Sequence, residues 1–132
     1  MQTYWKNAVV AALWDAEIRA VRMEWRAFVE GETFRTALLK GLELVEREGA
    51  VNWLADMKLM GPITFDDQRW ADEVWLPKAL EAGVRRVALV MPEKTSAELA
   101  VLKITDAYDR TNIKRRLFDD LEEAREWLRY GG

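Results

Sequence analysis

The side chains here that could do chemistry are carboxylates, lysines, hydroxyls and tyrosines, because the 132-residue sequence contains neither cysteine nor histidine. Without histidine the commonest general base and the usual transition-metal ligand are missing. Without cysteine there is no thiolate nucleophile, disulfide or thiolate metal site. Ser–His, Cys–His and His–metal catalysis are therefore excluded. Neither GxGxxG nor GxxxxGK[ST] occurs, so no motif cradles nucleotide phosphates, and no cofactor is implied.

Three groups of residues remain. Asp66–Asp67 and Asp119–Asp120 are paired acids of the kind that acid/base work or a cation would need. Each pair also opens a helical pattern, where capping and the positive helix end account for both acids. Arg110, Lys114, Arg115 and Arg116 form the densest basic stretch. A nucleic-acid stripe wants aligned basic residues interleaved with aromatics on a basic domain. The net charge is -3, so the stretch reads instead as an edge strand guarded by charge, with no nucleic-acid partner.

The third group is the stretch from Asp56 to Thr64. Parallel α/β sheets bind partners beyond the carboxyl ends of their strands. Asp56 stands at such an end, Lys58 follows it, and Gly61 allows close backbone approach. Thr64 and Asp67 open the next helix, whose N-terminal amides would favour a phosphate at Thr64. Asp56, Lys58, Gly61, Thr64 and Asp67 are thus the candidate binding residues; the plain alternative is that they only close the loop and cap the helix.

These positions make sense only within particular elements. Val9 to Trp14 and Ile18 to Trp25 are strand-like runs close enough to form an antiparallel hairpin. From Glu32 to Glu48 the period is helical, with Phe34, Leu38, Leu42 and Val45 on one stripe and Gly49 as the stop. Ala50 to Lys58 reads as a strand covered on both faces. A helix capped by Thr64 runs through Trp70, Val74 and Trp75 toward Leu80, and Pro77 bends or restarts it. Val84 to Met91 is a second buried strand closed by Pro92. Ser96 and Glu98 open a further amphipathic segment, weakened by the β-branched Ile104 and Thr105. Ile113 to Phe118 is the last strand, and Asp120 caps a final helix carrying Leu121, Ala124, Trp127 and Leu128. The order β-β-α-β-α-β-α-β-α predicts an α/β fold with a mixed, mostly parallel five-stranded sheet.

Half the residues are hydrophobic and a third are charged, a mixture suited to one globular domain spanning 1–132. No run approaches the ~20 apolar residues of a membrane span, and the first residues lack the features of a signal peptide. A cytoplasmic protein with no membrane insertion is expected. Seven tryptophans is a high number for this length, and most should fill the core.

The element order resembles the STAS domain of anti-sigma-factor antagonists and sulfate transporters. It is most similar to small stand-alone bacterial STAS-like proteins of unassigned function. The likeness is carried by FVEGETFRTALLKGLEL (Phe28 to Leu44), NWLADMKLMGPITFDDQRWADEVWLPKAL (Asn52 to Leu80), GVRRVALVMP (Gly83 to Pro92) and FDDLEEAREWL (Phe118 to Leu128). It implies a non-enzymatic regulatory or protein-interaction module; the tryptophan surplus and the missing catalytic residues point to a protein partner or to self-association as a homodimer. In antagonist domains a Ser or Thr just after the strand-end Asp is phosphorylated. Here Met57, Lys58 and Leu59 follow Asp56, so the resemblance carries over the fold and not the kinase chemistry.

Three functions then compete. One is a module that binds a protein partner or itself through a Trp-bearing surface. Another is a carrier of a small apolar or anionic ligand held between helices and sheet. The third is an enzyme working through Asp56, Lys58 or Asp67.

Overall fold

The computed structural model describes residues 1–92 and 95–131, without the side chains of residues 95–97, 104 and 105. Ser96, Ile104 and Thr105 therefore lie outside the described side chains. Three strands come first, β1 (Gln2–Lys6), β2 (Val10–Asp15) and β3 (Ala20–Trp25), followed by helix α1 (Gly31–Glu48) and strand β4 (Asn52–Asp56). Helix α2 (Phe65–Trp70) runs through a π turn (Ala71–Trp75) into α3 (Leu76–Ala82). Strand β5 (Arg86–Val90), helix α4 (Thr95–Asp106) with a 3₁₀ turn (Ala107–Arg110), strand β6 (Lys114–Phe118) and helix α5 (Leu121–Arg129) complete the chain.

The strands form one six-stranded sheet in the order β1-β2-β3-β4-β5-β6. β1, β2 and β3 pair antiparallel, and β3 through β6 pair parallel. The expected hairpin is present, with Val10 opposite Trp25 and Asp15 opposite Ala20. The count of five strands needs correcting to six. β1 escaped notice because Gln2, Thr3 and Lys6 are exposed polar residues and its pairing slips between Thr3 and Trp5, so no buried alternating pattern marks it.

Period-2 alternation sends β-strand side chains to two separate cores. Val21, Met23, Trp25, Trp53, Ala55, Val87 and Leu89 face α1 and the α2–α3 and α4 segments. Ala20, Leu54, Ala88, Val90 and Phe118 face α5 instead, meeting Ala124 and Leu128. The first core is the larger. α1 buries its predicted stripe there, including Phe34, Leu38, Leu42 and Val45, and stops at Gly49 with φ +64°. α5 is also tied across the sheet end, because Arg125 Nε donates to the buried Asp15 carboxylate at 3.0 Å.

Pro77 explains why the helix after Thr64 changes pitch without ending. A proline inside an α-helix removes one N–H, and its ring clashes with the carbonyl four residues back, here Glu73. The preceding turn widens, so that Leu76 N–H reaches Ala71 O five residues earlier.

The basic stretch lies on β6, an outer strand of the sheet, with Lys114 and Arg116 exposed. Arg115 is paired with Asp109 at 3.2 Å. Of the seven tryptophans, Trp14, Trp25, Trp53 and Trp75 are buried and Trp5, Trp70 and Trp127 are half-buried. The large apolar side chains most open to solvent are others: Phe28, Leu59, Phe65, Leu99 and Tyr130 among them. Trp5, Trp70 and Trp127 thus reach the surface in part, Trp127 beside Phe118 and Tyr130. No helix among the described residues is long and apolar enough to cross a membrane.

Gly41 lets α1 lie directly on the sheet, since a Cβ there would collide with the Trp53 ring and come within 2.9 Å of the Met23 sulfur. Gly41→Ala is expected to lower stability by about 1–3 kcal/mol through overpacking, read as a shift of the urea unfolding midpoint. A variant as stable as the parent would show that α1 is free to lift.

Candidate functional site

The loop between β4 and α2 sits at the carboxyl end of the parallel strands, and its residues divide between the two faces of the sheet. Asp56 continues the β4 face that carries Leu54 toward α5. Its Oδ2 lies 3.8 Å from Arg22 Nη2, and its Oδ1 accepts the Lys58 backbone N–H at 3.4 Å. Arg22 is held more closely by Glu24, at 2.9 Å. Asp56 and Lys58 line a crevice of about 420 Å³ in which Glu24, Arg26, Asp119 and Asp120 alternate with the apolar Trp25, Leu59 and Leu121. Asp120 also caps α5 by accepting the Glu123 N–H at 3.0 Å.

The other three candidates lie across the sheet. Gly61 is buried against the Phe28 backbone, where a Cβ would come within 3.2 Å of the Phe28 Cα. Thr64 caps α2, its hydroxyl accepting the Asp67 N–H at 3.2 Å. Asp67 is 1% exposed and fully engaged: Oδ2 accepts from Gly31 N–H at 2.8 Å, and Oδ1 accepts from Arg35 Nε at 3.3 Å. Gly31 has φ +62°, a conformation that glycine adopts without strain. Arg35 in turn stacks over Trp70, with its Cζ 5.6 Å from the ring centroid. Asp67 therefore fastens the start of α1 to the start of α2.

The residues that the loop turns toward the larger core are Met57, Met60 and Ile63, and these help to enclose a cavity of about 60 Å³ between sheet and helices. Trp25, Trp53 and Ala55 form its strand side; Phe34, Ala71, Trp75, Val101 and Tyr108 come from the helices. The aromatic wall is built by edge contacts. Trp53 and Trp75 meet nearly T-shaped with centroids 5.0 Å apart, and Tyr108 lies 6.3 Å beyond Trp75. The cavity holds several times the roughly 10–15 Å³ that seats one water molecule.

Polar groups behind this wall come from the π turn and the 3₁₀ turn. Trp75 Nε1 and Asp72 Oδ1 are both out of solvent with no hydrogen-bond partner among the described residues. Burial raises the Asp72 carboxyl above its ordinary value, and the nearby Arg110 only partly offsets this. Burial likewise pushes the Tyr108 phenol far up, and the charge of Asp72 adds to that shift. Tyr108 is therefore a neutral phenol at any working pH. No group of three or more carboxylates suited to a metal ion occurs among the described residues.

The comparison with known families falls on the same stretch of chain. The model of the SpoIIAA-like family matches residues 20–129, from the start of β3 to the end of α5. The chain belongs to the SpoIIAA-like family. The STAS-like fold expected from the sequence is the one observed. A crystal structure of an uncharacterised protein from Shewanella loihica PV-4, described as having a SpoIIAA-like fold, matches with a TM-score of 0.59. Identity is 16%, and the match covers 94% of this chain and 98% of that one, so the likeness is one of fold. No curated protein matches this chain. β1 and β2 lie ahead of the span matched to the SpoIIAA-like family.

The sequence singled out this loop by its polar residues, while the wall of the cavity is built by the apolar ones between them. Met57, Met60 and Ile63 carry a signal of their own: a loop of ordinary solvent-exposed character would not place three large apolar residues beside Gly61 and Pro62.

Two outcomes follow. Asp67→Ala leaves the Gly31 N–H and Arg35 without their acceptor and is expected to cost about 1–3 kcal/mol, read by thermal or urea unfolding. Asp72 works in the opposite sense. Its folded pKa lies above its ordinary 3.8, so the unfolded chain ionises first and stability falls as pH rises from about 3.8 through the raised value. Asp72→Asn should flatten that slope in urea midpoints measured across the window; an unchanged slope would assign it to another group.

Proposed function

We propose that this SpoIIAA-like protein is a non-enzymatic binding module whose larger core receives a small apolar molecule. The observation that carries this reading is the cavity closed by Met57, Met60 and Ile63 on one side and by aromatic rings on the other. Ligand sites are concave and mostly apolar, with few polar groups to fix orientation. Methionine side chains are flexible and polarisable, so a wall containing two of them adapts to an occupant. Such a site requires neither an acid nor a base, which agrees with the absence of histidine and cysteine.

A protein partner is the second reading, and it rests on a different observation. Phe28, Leu59, Phe65 and Leu99 are 47%, 72%, 60% and 62% exposed, a group of large apolar side chains on the two loops, α2 and α4. Gly61 brings the Phe28 loop against the loop after β4. Exposed apolar side chains in this number suit an interaction surface, for another protein or a second copy. The crevice with Asp56 and Lys58 would border that surface, since Leu59 lines it too.

Xenon tests the first reading because it reports dry apolar cavities. Under xenon pressure the Met57, Met60 and Ile63 methyl resonances should shift, and Ala71→Leu, which fills the cavity, should abolish the shifts while the fold persists. Shifts confined to exposed methyls such as that of Leu59 would remove the cavity as a site. They would leave the interaction surface as the working region.

A further inference from the structure

The sheet ends in two outer strands, and they are finished differently. β1 slips in its pairing between Thr3 and Trp5, an irregularity of the kind that blunts an edge against further strands. β6 pairs with β5 in unbroken register from Lys114 to Phe118, and among the described residues no strand lies beyond it. Lys114 N–H donates to Arg85 O at 2.8 Å, and Phe118 O accepts the Met91 N–H at 2.9 Å. Backbone groups alternate in direction along a strand, so those of Leu117 point away from β5. The Leu117 side chain is exposed as well. An outward N–H and C=O in a regular strand are a template for one more strand.

The side chains beside this edge select what can pair with it. Alternation puts Lys114, Arg116 and Phe118 on the α5 face and Leu117 on the other. Lys114 and Arg116 are exposed, and neither is in an ion pair with a described residue, whereas Arg115 is held by Asp109 at 3.2 Å. A second copy pairing antiparallel, centred on Arg115 or Arg116, would bring basic side chains face to face, which is unfavourable. An acidic strand meets the opposite situation. Its carboxylates at alternate positions would face Lys114 and Arg116 across a spacing of about 4.8 Å, and the apolar residues between them would face Leu117.

On the α5 side the edge opens into a groove of about 390 Å³ whose rings are Phe118, Trp127 and Tyr130. Phe118 and Trp127 pack with centroids 5.9 Å apart, and Arg116 Cζ lies 5.6 Å from the Phe118 centroid. An added strand therefore has a helix to lie against. Glu123 and Glu126 of α5 also line the groove. Acids are thus favoured only where Lys114 and Arg116 stand, and an apolar residue where Phe118 and Trp127 do.

We propose that the outer edge of β6, with the groove beside it, docks an extended acidic segment of a protein partner as one further strand of the sheet. The site is separate from the cavity and from the apolar loop surface, so its test is independent of theirs. Backbone pairing supplies the affinity, and the alternate side chains supply the selection. The basic run that keeps the β6 strands of two copies apart is the same run that admits an acidic strand.

Two capped peptides test it on the full chain: one with the core Glu-Val-Glu-Val-Phe, and one with lysine in place of glutamate. Each is made in both sequence directions, since a strand can add parallel or antiparallel. The glutamate peptide should bind and the lysine peptide should not. On binding, hydrogen exchange at the Leu117 amide should slow about tenfold or more, because that N–H gains an acceptor. Leu117→Pro removes the outward N–H and leaves the bonds to β5 in place, a substitution that edge strands tolerate. The glutamate peptide should then bind about tenfold more weakly. Lys114→Glu combined with Arg116→Glu should reverse the preference, and it keeps the test open if the proline variant does not fold. Equal binding of the two peptides, or binding of neither, would refute the acidic partner. Binding that leaves exchange at Leu117 unchanged would refute strand addition, since a contact through charge alone does not cover that amide. Protection of Leu117 in the protein alone, rising with its concentration, would overturn the proposal in favour of a second copy.

Discussion

A parallel crossover has a preferred hand, so crossovers that step the same way across a sheet put their helices on one face. β3, β4, β5 and β6 lie side by side in chain order, and α1, the α2–α3 segment and α4 all contribute to the same core. That face is covered by three helical segments, while the opposite face would be bare. α5, which follows the last strand, is the element left to cover it, and it does so over β4, β5 and β6. The two unequal cores are therefore a result of strand order. The cavity lies in the larger core, between the sheet and these three crossover segments.

The central strands show how this arrangement is written in the residues. β4 and β5 carry apolar side chains on both faces, as strands sandwiched between layers must. Asn52 is the buried polar exception in β4, and its side-chain amide donates to Ile18 O at 3.0 Å. Close approach of α1 depends on Gly41, and the matching of α1 with α2 depends on one carboxylate, that of Asp67. An acid which looked like a candidate for chemistry turns out to be the pin between two helix starts, held by a backbone amide and a guanidinium.

Much of this was legible in the sequence because burial imposes a period. The stripe Phe34, Leu38, Leu42 and Val45, the stop at Gly49 and the caps at Thr64 and Asp120 all lie where local rules place them. β1 was not legible, because a partly exposed strand with a pairing slip has no period to read. The π turn was not legible either: Pro77 announced a disturbance, but whether a helix bends, stops or widens is decided by what packs around it. The cavity is least legible of all. Its walls come from six separate segments, and side chains such as Trp25 and Tyr108 reveal their shared neighbour only once the chain has folded.

One feature of the loop after β4 has a mechanical consequence. Asp56 and Met57 are consecutive, yet the first belongs to the charged crevice beside α5 and the second to the apolar cavity beneath the crossover helices. A single peptide unit thus separates the two spaces, and Trp25 lines both of them. The strand end is anchored beyond it, since Met57 N–H donates to Val90 O at 3.0 Å. The cavity and the crevice therefore share a fixed boundary, one anchored peptide and one tryptophan, so a substitution at either position alters both spaces at once.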